Sequence, residues 1–357
     1  MVISLVLLFV TCVLLSFFEE QLRDRDKLVL YVVFGVAMIL IAGMRAVGST
    51  PDTEAYEELF YKDTDSVAMT LYEPSFNLII NFLQSFSIGV NALFFTYAII
   101  SVPIHLSLFW KVSKLPLLTL TIYTSYYFMM HEMVQIRAGV AAGLFLWAVY
   151  FHVEKKKLLT LLFLLLAVFF HYSAIAGFAI FLFTGSLPKW QRVVLYALVP
   201  VGLVAYIGNL DLVTLLPEEL VGEKVLSYRQ GEENGNSDLK EGWKLKYNML
   251  IWLNFMVYYV CLYFHDEIVK HFKYVTIAIK VQAYGFCFLF FVYGISHVIA
   301  NRMNDFFSVA SILLWTASFY VFVPSLLSKL LNNLVSTFRF VTSMIAYALA
   351  LLWMNNN

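Results

Sequence analysis

The stretch Gly43-Met44-Arg45-Ala46-Val47-Gly48-Ser49-Thr50-Pro51-Asp52-Thr53-Glu54-Ala55-Tyr56, continuing to Tyr72-Glu73-Pro74, decides how this chain must be read. It follows a hydrophobic run and breaks it with an arginine, then with glycine, serine, proline, acids and aromatics. A polar, turn-rich backbone of that length cannot lie against lipid, where its N–H and C=O groups would find no water. It belongs at a membrane surface, and its charged residues make it one half of a candidate active site.

The rest of the composition agrees. Of 357 residues, 61% are hydrophobic and 13% charged, and the mean hydropathy is +0.78. A soluble domain of ordinary composition is excluded, and an all-α polytopic membrane protein is expected. The net charge is zero and no basic cluster is interleaved with aromatics, so nucleic-acid binding has no support. Cys12, Cys261 and Cys287 all sit inside apolar runs, which reads as packing rather than a disulfide framework or a metal site. No basic region precedes the first apolar run and no small-residue cleavage site follows it, so it is expected to be the first span rather than a signal peptide.

Apolar runs at 2–18, 28–44, 92–110, 115–130, 138–152, 193–208, 247–264, 274–300, 303–323 and 340–354 are long enough for helices crossing roughly 30 Å of hydrocarbon. Residues 158–183 read as two short spans meeting at His171-Tyr172-Ser173, for about twelve spans (10–13) in a single transmembrane domain, 1–357. Within an outer loop at 45–91, the run 76–88 is one-sided. Phe76, Ile79, Ile80, Leu83 and Phe86 are expected on one face and Asn77, Asn81, Gln84 and Ser85 on the other, as in a helix lying in the interface plane.

Orientation follows from lysine and arginine. Arg23, Arg25, Lys27, Lys111, Lys114, Lys155, Lys156, Lys157, Lys189, Arg192, Lys270, Lys273, Lys329 and Arg339 fall on one side, expected to be cytoplasmic, against Arg45, Lys62, Arg137 and Arg302 in short outer loops. A long, charged, glycine-containing outer loop at 210–246 is expected to form a flap. Only Lys280 is expected clearly mid-span, and no internal repeat supports an inverted-repeat transporter.

Under this topology Arg45, Arg137, His171 and Arg302 reach the outer ends of four separate helices. Ionisable groups near membrane depth face a cavity or a partner, and guanidinium forks match the oxygens of a diphosphate. An anionic ligand is implied. Plainer readings exist: Arg45 snorkels to headgroups, Arg137 anchors a helix rich in small residues, Arg302 pairs with Asp305, and His171 bonds a carbonyl. Imidazole, with an ordinary pKa near 6.5, suits the base that a glycosyl transfer needs; Asp52 and Glu73 are the alternatives, and Glu132 is a further acid. Tyr56, Tyr61, Tyr72, Tyr123, Tyr126, Tyr127 and Tyr172 are expected near the outer face, as an interfacial belt or as platforms for sugar rings. No zinc-protease, phosphate-loop, dinucleotide or nucleophile-elbow motif appears.

These motifs resemble a known family. Gly43-x-Arg45, Val47-Gly48, Asp52-Thr53, Tyr56, Tyr72-Glu73-Pro74, Gln135-Ile136-Arg137-x-Gly139-x-Ala141, Phe169-Phe170-His171-x-Ser173-Ala174 and Asn301-Arg302 are similar, in order and spacing, to the EpsG family of Wzy-type bacterial polysaccharide polymerases. The sequence differs from the usual pattern at Ser49-Thr50-Pro51 and at Tyr172, where the family often has proline.

The resemblance implies a GT-C-type inner-membrane glycosyltransferase joining undecaprenyl-diphosphate-linked repeat units on the outer face, with no cofactor or metal. A flippase and a chain-length regulator are the implied protein partners. Carried onto matching positions, it makes Arg45, Arg137, His171 and Arg302 the functional set; His171, Arg137, Arg302 and Asp52 are the catalytic candidates. Arg137 and Arg302 would bind diphosphate, Arg45 a second lipid diphosphate or a sugar acid, and Tyr56, Glu73, Gln135, Tyr172 and Asp305 the substrate. A glycan ligase using the same donor and a lipid-linked oligosaccharide flippase are the alternatives.

Overall fold

The computed structural model describes residues 1–50, 52–62, 72–208, 248–293, 296–321 and 325–356. The expected flap at 210–246 lies outside the described residues, as does part of the loop at 45–91. All described elements are helical. Six helices are long and apolar enough to cross a membrane, Val2–Gln21, Asp24–Gly43, Asn91–Val112, Ile136–Val153, Lys189–Ile207 and Leu327–Leu352, and shorter apolar helices accompany them. The chain is a polytopic, all-helical membrane protein. It divides into two compact units, Met1–Phe178 with Phe322–Asn357, and Ala179–Val321.

The first unit contains α1 (Val2–Phe18), α2 (Asp24–Gly43), α3 (Thr53–Tyr61), α4 (Pro74–Ser85), α5 (Asn91–Val112), α6 (Pro116–Ile122), α7 (Ile136–Val153) and α8 (Lys157–Phe170). Helix α6 runs directly into a π-helix, Tyr123–Val134, so the span expected at 115–130 continues further than its apolar run. After α8 the chain turns at His171 into a 3-10 helix, Tyr172–Leu182, which matches the expected break between two short spans.

Lipid supplies no hydrophobic drive between helices, so close packing and buried polar bonds hold them. Tyr31 donates to the Leu106 carbonyl at 3.1 Å, joining α2 to α5. Glu19 is fully buried and its two oxygens accept from the Leu117 and Leu118 amides at 2.7 and 3.0 Å. A carboxylate thus caps α6 from far away in sequence, meeting orphan N–H groups and the positive helix end.

The second unit holds α9 (Lys189–Ile207), α10 (Met249–Tyr263), α11 (His265–His271), α12 (Val275–Phe291), α13 (His297–Ser308) and α14 (Ser311–Ser318). The runs at 274–300 and 303–323 are therefore not two long spans. Ser296 begins a new helix, its hydroxyl accepting from the Ile299 amide, and a further break falls at Val309 and Ala310. Tyr258 and Tyr259 each donate to a carbonyl of α9 at 3.0 Å, and Gln282 of α12 donates to Ser308 of α13 at 3.1 Å.

The last helix, α15 (Ser325–Asn356), returns to the first unit and fixes its sidedness. Lys329 pairs with Glu20 at 2.7 Å, next to the end where α2 starts. Tyr347 donates to the Ser49 carbonyl, beyond the end of α2. The eighteen helical steps from one to the other, at 1.5 Å each, cover roughly 27 Å, a full hydrocarbon crossing. Arg339 is not at the Lys329 end as its charge led us to expect. It lies roughly 15 Å further along the helix, 1% exposed, with its guanidinium 4.9 Å from the Tyr127 ring centroid. An aromatic face and tight packing hold a cation that the positive-inside pattern assigns to a loop.

Helix α4 is one-sided, but its buried face is Ser75, Phe76, Ile80 and Leu83. Phe86, expected with them, is 61% exposed, as are Leu78 and Phe82 at 60% and 63%. The helix has two apolar flanks, one toward the protein and one outward.

Gly139 is where packing is tightest near the polar end. A Cβ there would lie 2.1 Å from the His131 carbonyl oxygen, so α7 meets the π-helix backbone directly. Gly139→Ala is expected to push the two elements apart and destabilise the protein by about 1–3 kcal/mol, the usual range for overpacking. Thermal unfolding in detergent would show this, and an unchanged midpoint would mean that the contact yields freely.

Candidate active site

The site is built around Glu73. Its backbone is extended (φ −64°, ψ 144°), as a residue before proline must be, and Pro74 opens α4 where a missing N–H is harmless. The Glu73 carbonyl accepts from the Phe76 and Asn77 amides. This local geometry turns the side chain inward, leaving it 3% exposed.

Two side chains meet that carboxylate. Arg137, in the first turn of α7, donates from Nη1 to Glu73 Oε2. His171, at the end of α8, lies with Nδ1 2.7 Å from Oε1, and the Tyr172 amide donates to the same oxygen at 3.4 Å. The His171 backbone is extended (φ −156°, ψ 120°), which ends the helix and swings the ring toward Glu73. Burial works to raise the Glu73 pKa, but the His171 bond and the Arg137 charge outweigh it and hold the carboxyl down at about 2. Glu73 is therefore an anion at any ordinary pH, with both oxygens engaged.

Both side chains are partly open, Arg137 at 19% and His171 at 24% exposure. Arg137 Nε has no hydrogen-bond partner among the described residues. With a carboxylate at Nδ1, the imidazole hydrogen resides there and Nε2 carries the lone pair. The Arg137 guanidinium stacks over Tyr72 and Phe76, each 5.0 Å away, and over Tyr56 at 5.9 Å. Tyr172 is 41% exposed, and its hydroxyl donates to the Tyr72 carbonyl at 3.4 Å.

Arg45 lies one aromatic layer away. Tyr56 packs between Phe76 and Phe94 at 6.1 and 6.5 Å, and the Arg45 guanidinium sits 4.1 Å from the Phe94 ring centroid. Arg45 is 2% exposed and donates to the carbonyls of Ala42 and Glu132. It does not snorkel outward; it ties the end of α2 to the π-helix.

Asp52 is half-buried at the start of α3, and its carbonyl accepts from the Tyr56 amide at 3.0 Å. Gln135 is the joint between π-helix and α7: its amide donates to Met130 and its carbonyl accepts from Gly139, both at 2.8 Å. Arg302, exposed, and Asp305, half-buried, share α13 in the second unit. Tyr123 and Tyr127 are 0% and 1% exposed, so they are core residues rather than belt or sugar platforms.

One network was missed. Glu132 Oε1 accepts from Ser101 at 2.9 Å and from the Tyr123 hydroxyl, and His105 Nδ1 lies 3.2 Å away, all of these residues being buried. Lys280, expected mid-span, instead lies less than two turns into α12 with its ammonium on the carbonyls of the exposed Thr184 and Ser186. An ionisable residue inside an apolar run was the available signal for His105, and Glu132 gave one by its nearness to Arg137.

Fold and site together define a polytopic helical membrane protein with a cation-lined polar cluster at one end of its helices. The EpsG family model matches residues 28–357, and the chain belongs to the EpsG family, which is related to the Wzy-like polysaccharide polymerases. No curated protein and no solved structure matches it. Family membership makes it a membrane protein of polysaccharide biosynthesis, of polymerase type.

Proposed function

We propose that this protein is a repeat-unit polymerase. It joins oligosaccharides carried on undecaprenyl diphosphate, at the outer face of the bacterial inner membrane, by a glycosyl transfer of the GT-C type. The observation that carries the reading is Glu73, a buried carboxylate held between a partly open arginine and a partly open histidine. A purely structural cluster has no need to leave both the guanidinium and the imidazole accessible.

In the reaction, a sugar hydroxyl of the acceptor unit gives its proton to His171 Nε2 while its oxygen bonds to the anomeric carbon of the donor. The bond from that carbon to the phosphate oxygen breaks, and the lipid diphosphate leaves with the electron pair. Arg137 supports the charge growing on the departing oxygens through its unspent donors, where a preplaced cation is most effective. Glu73 works through the other two: it fixes the imidazole tautomer and aims the guanidinium. It is a positioning residue, not the base. Tyr172 and Tyr72 offer ring faces to the glycan beside the cations.

The positive-inside pattern supports placing this end of the helices outside the cytoplasm. A flippase that delivers lipid-linked units and a chain-length regulator are the partners such a reaction calls for. The test is direct. Purified protein given one lipid-linked repeat unit should yield a ladder of products, and material no longer than a single transfer would identify a ligase instead. Arg137→Ala retaining normal polymer in cells at normal expression would remove the assignment.

A further inference from the structure

The second unit contains a cavity of about 280 Å³ whose lining includes Trp190, Gln191, Val194, Leu198 and Lys280. Its walls are mostly apolar, yet two polar groups interrupt them. Lys280 is 7% exposed, and its ammonium donates to the Thr184 carbonyl at 2.8 Å, the Thr184 hydroxyl at 3.2 Å and the Ser186 carbonyl at 2.8 Å. These acceptors are neutral. They solvate the charge without cancelling it, and no carboxylate among the described residues lines the cavity. An uncompensated cation in such surroundings is costly and calls for an anion.

Gln191 supplies the second demand. Its Oε1 is buried without a hydrogen-bond partner among the described residues, so the cavity also wants a donor. Gln191 stands in the first turn of α9, and Lys280 is less than two turns into α12. The loop that holds the ammonium, Thr184 to Ser186, is exposed, and Trp190 beside it is 66% exposed. Indole rings and basic residues at helix ends mark headgroup depth in a bilayer. Below that level Val194, 56% exposed, and Leu198 continue an apolar wall.

We propose that this cavity is a binding site for one anionic glycerophospholipid of the surrounding bilayer, with its phosphate at Lys280, a headgroup hydroxyl on Gln191 Oε1 and part of an acyl chain along α9. The two polar groups select the class. A phosphatidylcholine headgroup brings no hydrogen-bond donor, and a phosphatidylethanolamine headgroup brings a second cation beside Lys280. A polyprenyl phosphate supplies the anion but no hydroxyl for Gln191. A glycerol headgroup supplies both anion and donor, which is how basic pockets between spans recognise anionic lipids. The site is independent of the Glu73 cluster and of the reaction proposed there.

Native mass spectrometry of the full chain in detergent tests it, with phosphatidylglycerol, phosphatidylcholine, phosphatidylmethanol, undecaprenyl phosphate and inorganic phosphate offered singly and in competition. One phosphatidylglycerol should be retained at least tenfold better than phosphatidylcholine, and Lys280→Met should erase that preference. Gln191→Leu, which leaves the buried cation in place, should erase the preference for phosphatidylglycerol over phosphatidylmethanol, a lipid with the same charge and no hydroxyl. Equal retention of phosphatidylcholine and phosphatidylglycerol by the natural protein would overturn the proposal. So would displacement by undecaprenyl phosphate or inorganic phosphate, or an unchanged preference in Gln191→Leu.

Discussion

Glu73→Ala is expected to abolish the product ladder, with turnover at least a hundredfold below the natural protein. The carboxylate is 3% exposed and holds the guanidinium and the imidazole at once. Removing it leaves the Arg137 guanidinium without its counter-charge and His171 Nδ1 without its partner, the situation in which breaking a buried pair is most damaging, at roughly 3–5 kcal/mol. The loss should show in stability as well as in catalysis. Folding moves the Glu73 pKa from 4.5 down to about 2, on the order of 3 kcal/mol of linked stability.

The sign of that contribution fixes a pH window. A depressed folded pKa stabilises the protein above the unfolded value, here 4.5, and the benefit fades as pH falls through about 2. The melting difference between the natural protein and Glu73→Gln should therefore shrink as pH falls from about 4.5 towards 2. A ladder of normal yield from Glu73→Ala would show that the cluster has no part in the reaction.

His171→Asn is expected to lower turnover by about 10²–10⁴, the usual worth of a general base, while leaving the melting midpoint nearly unchanged. Asparagine can place its amide N–H against the same Glu73 oxygen, 2.7 Å from Nδ1 in the natural protein, so the clamp on Arg137 survives. It offers no basic nitrogen on the far side. The split between intact folding and lost turnover is the signature that a structural histidine would not give. Turnover within threefold of the natural protein would hand the base role to another group, Asp52 at the start of α3 being the first to test.

The sequence identified Arg137 and His171 because charge in an apolar chain is conspicuous: each interrupts a hydrophobic pattern whose meaning in a bilayer is unambiguous. It misassigned Arg45 and Arg339 for a related reason. Charge at a given sequence position says that a partner or water is needed, and both residues found theirs inside, on the aromatic rings of Phe94 and Tyr127. Likewise nothing in the run of residues from Tyr123 to Val134 announces a π-helix. Within it the backbone meets Gly139 at the His131 carbonyl and Glu132 makes buried bonds, contacts that only the folded chain brings together.

The sequence by itself determined that this chain spans a membrane many times with helices, that its polar breaks gather at helix ends, and which residue types wait there. Hydropathy is a one-dimensional quantity, and the bilayer converts it almost directly into architecture. Only the tertiary structure decided that Glu73 stands between Arg137 and His171, 64 and 98 residues away along the chain. Pairing across such separations depends on which helices become neighbours and how closely, and small residues and buried hydrogen bonds settle that one contact at a time.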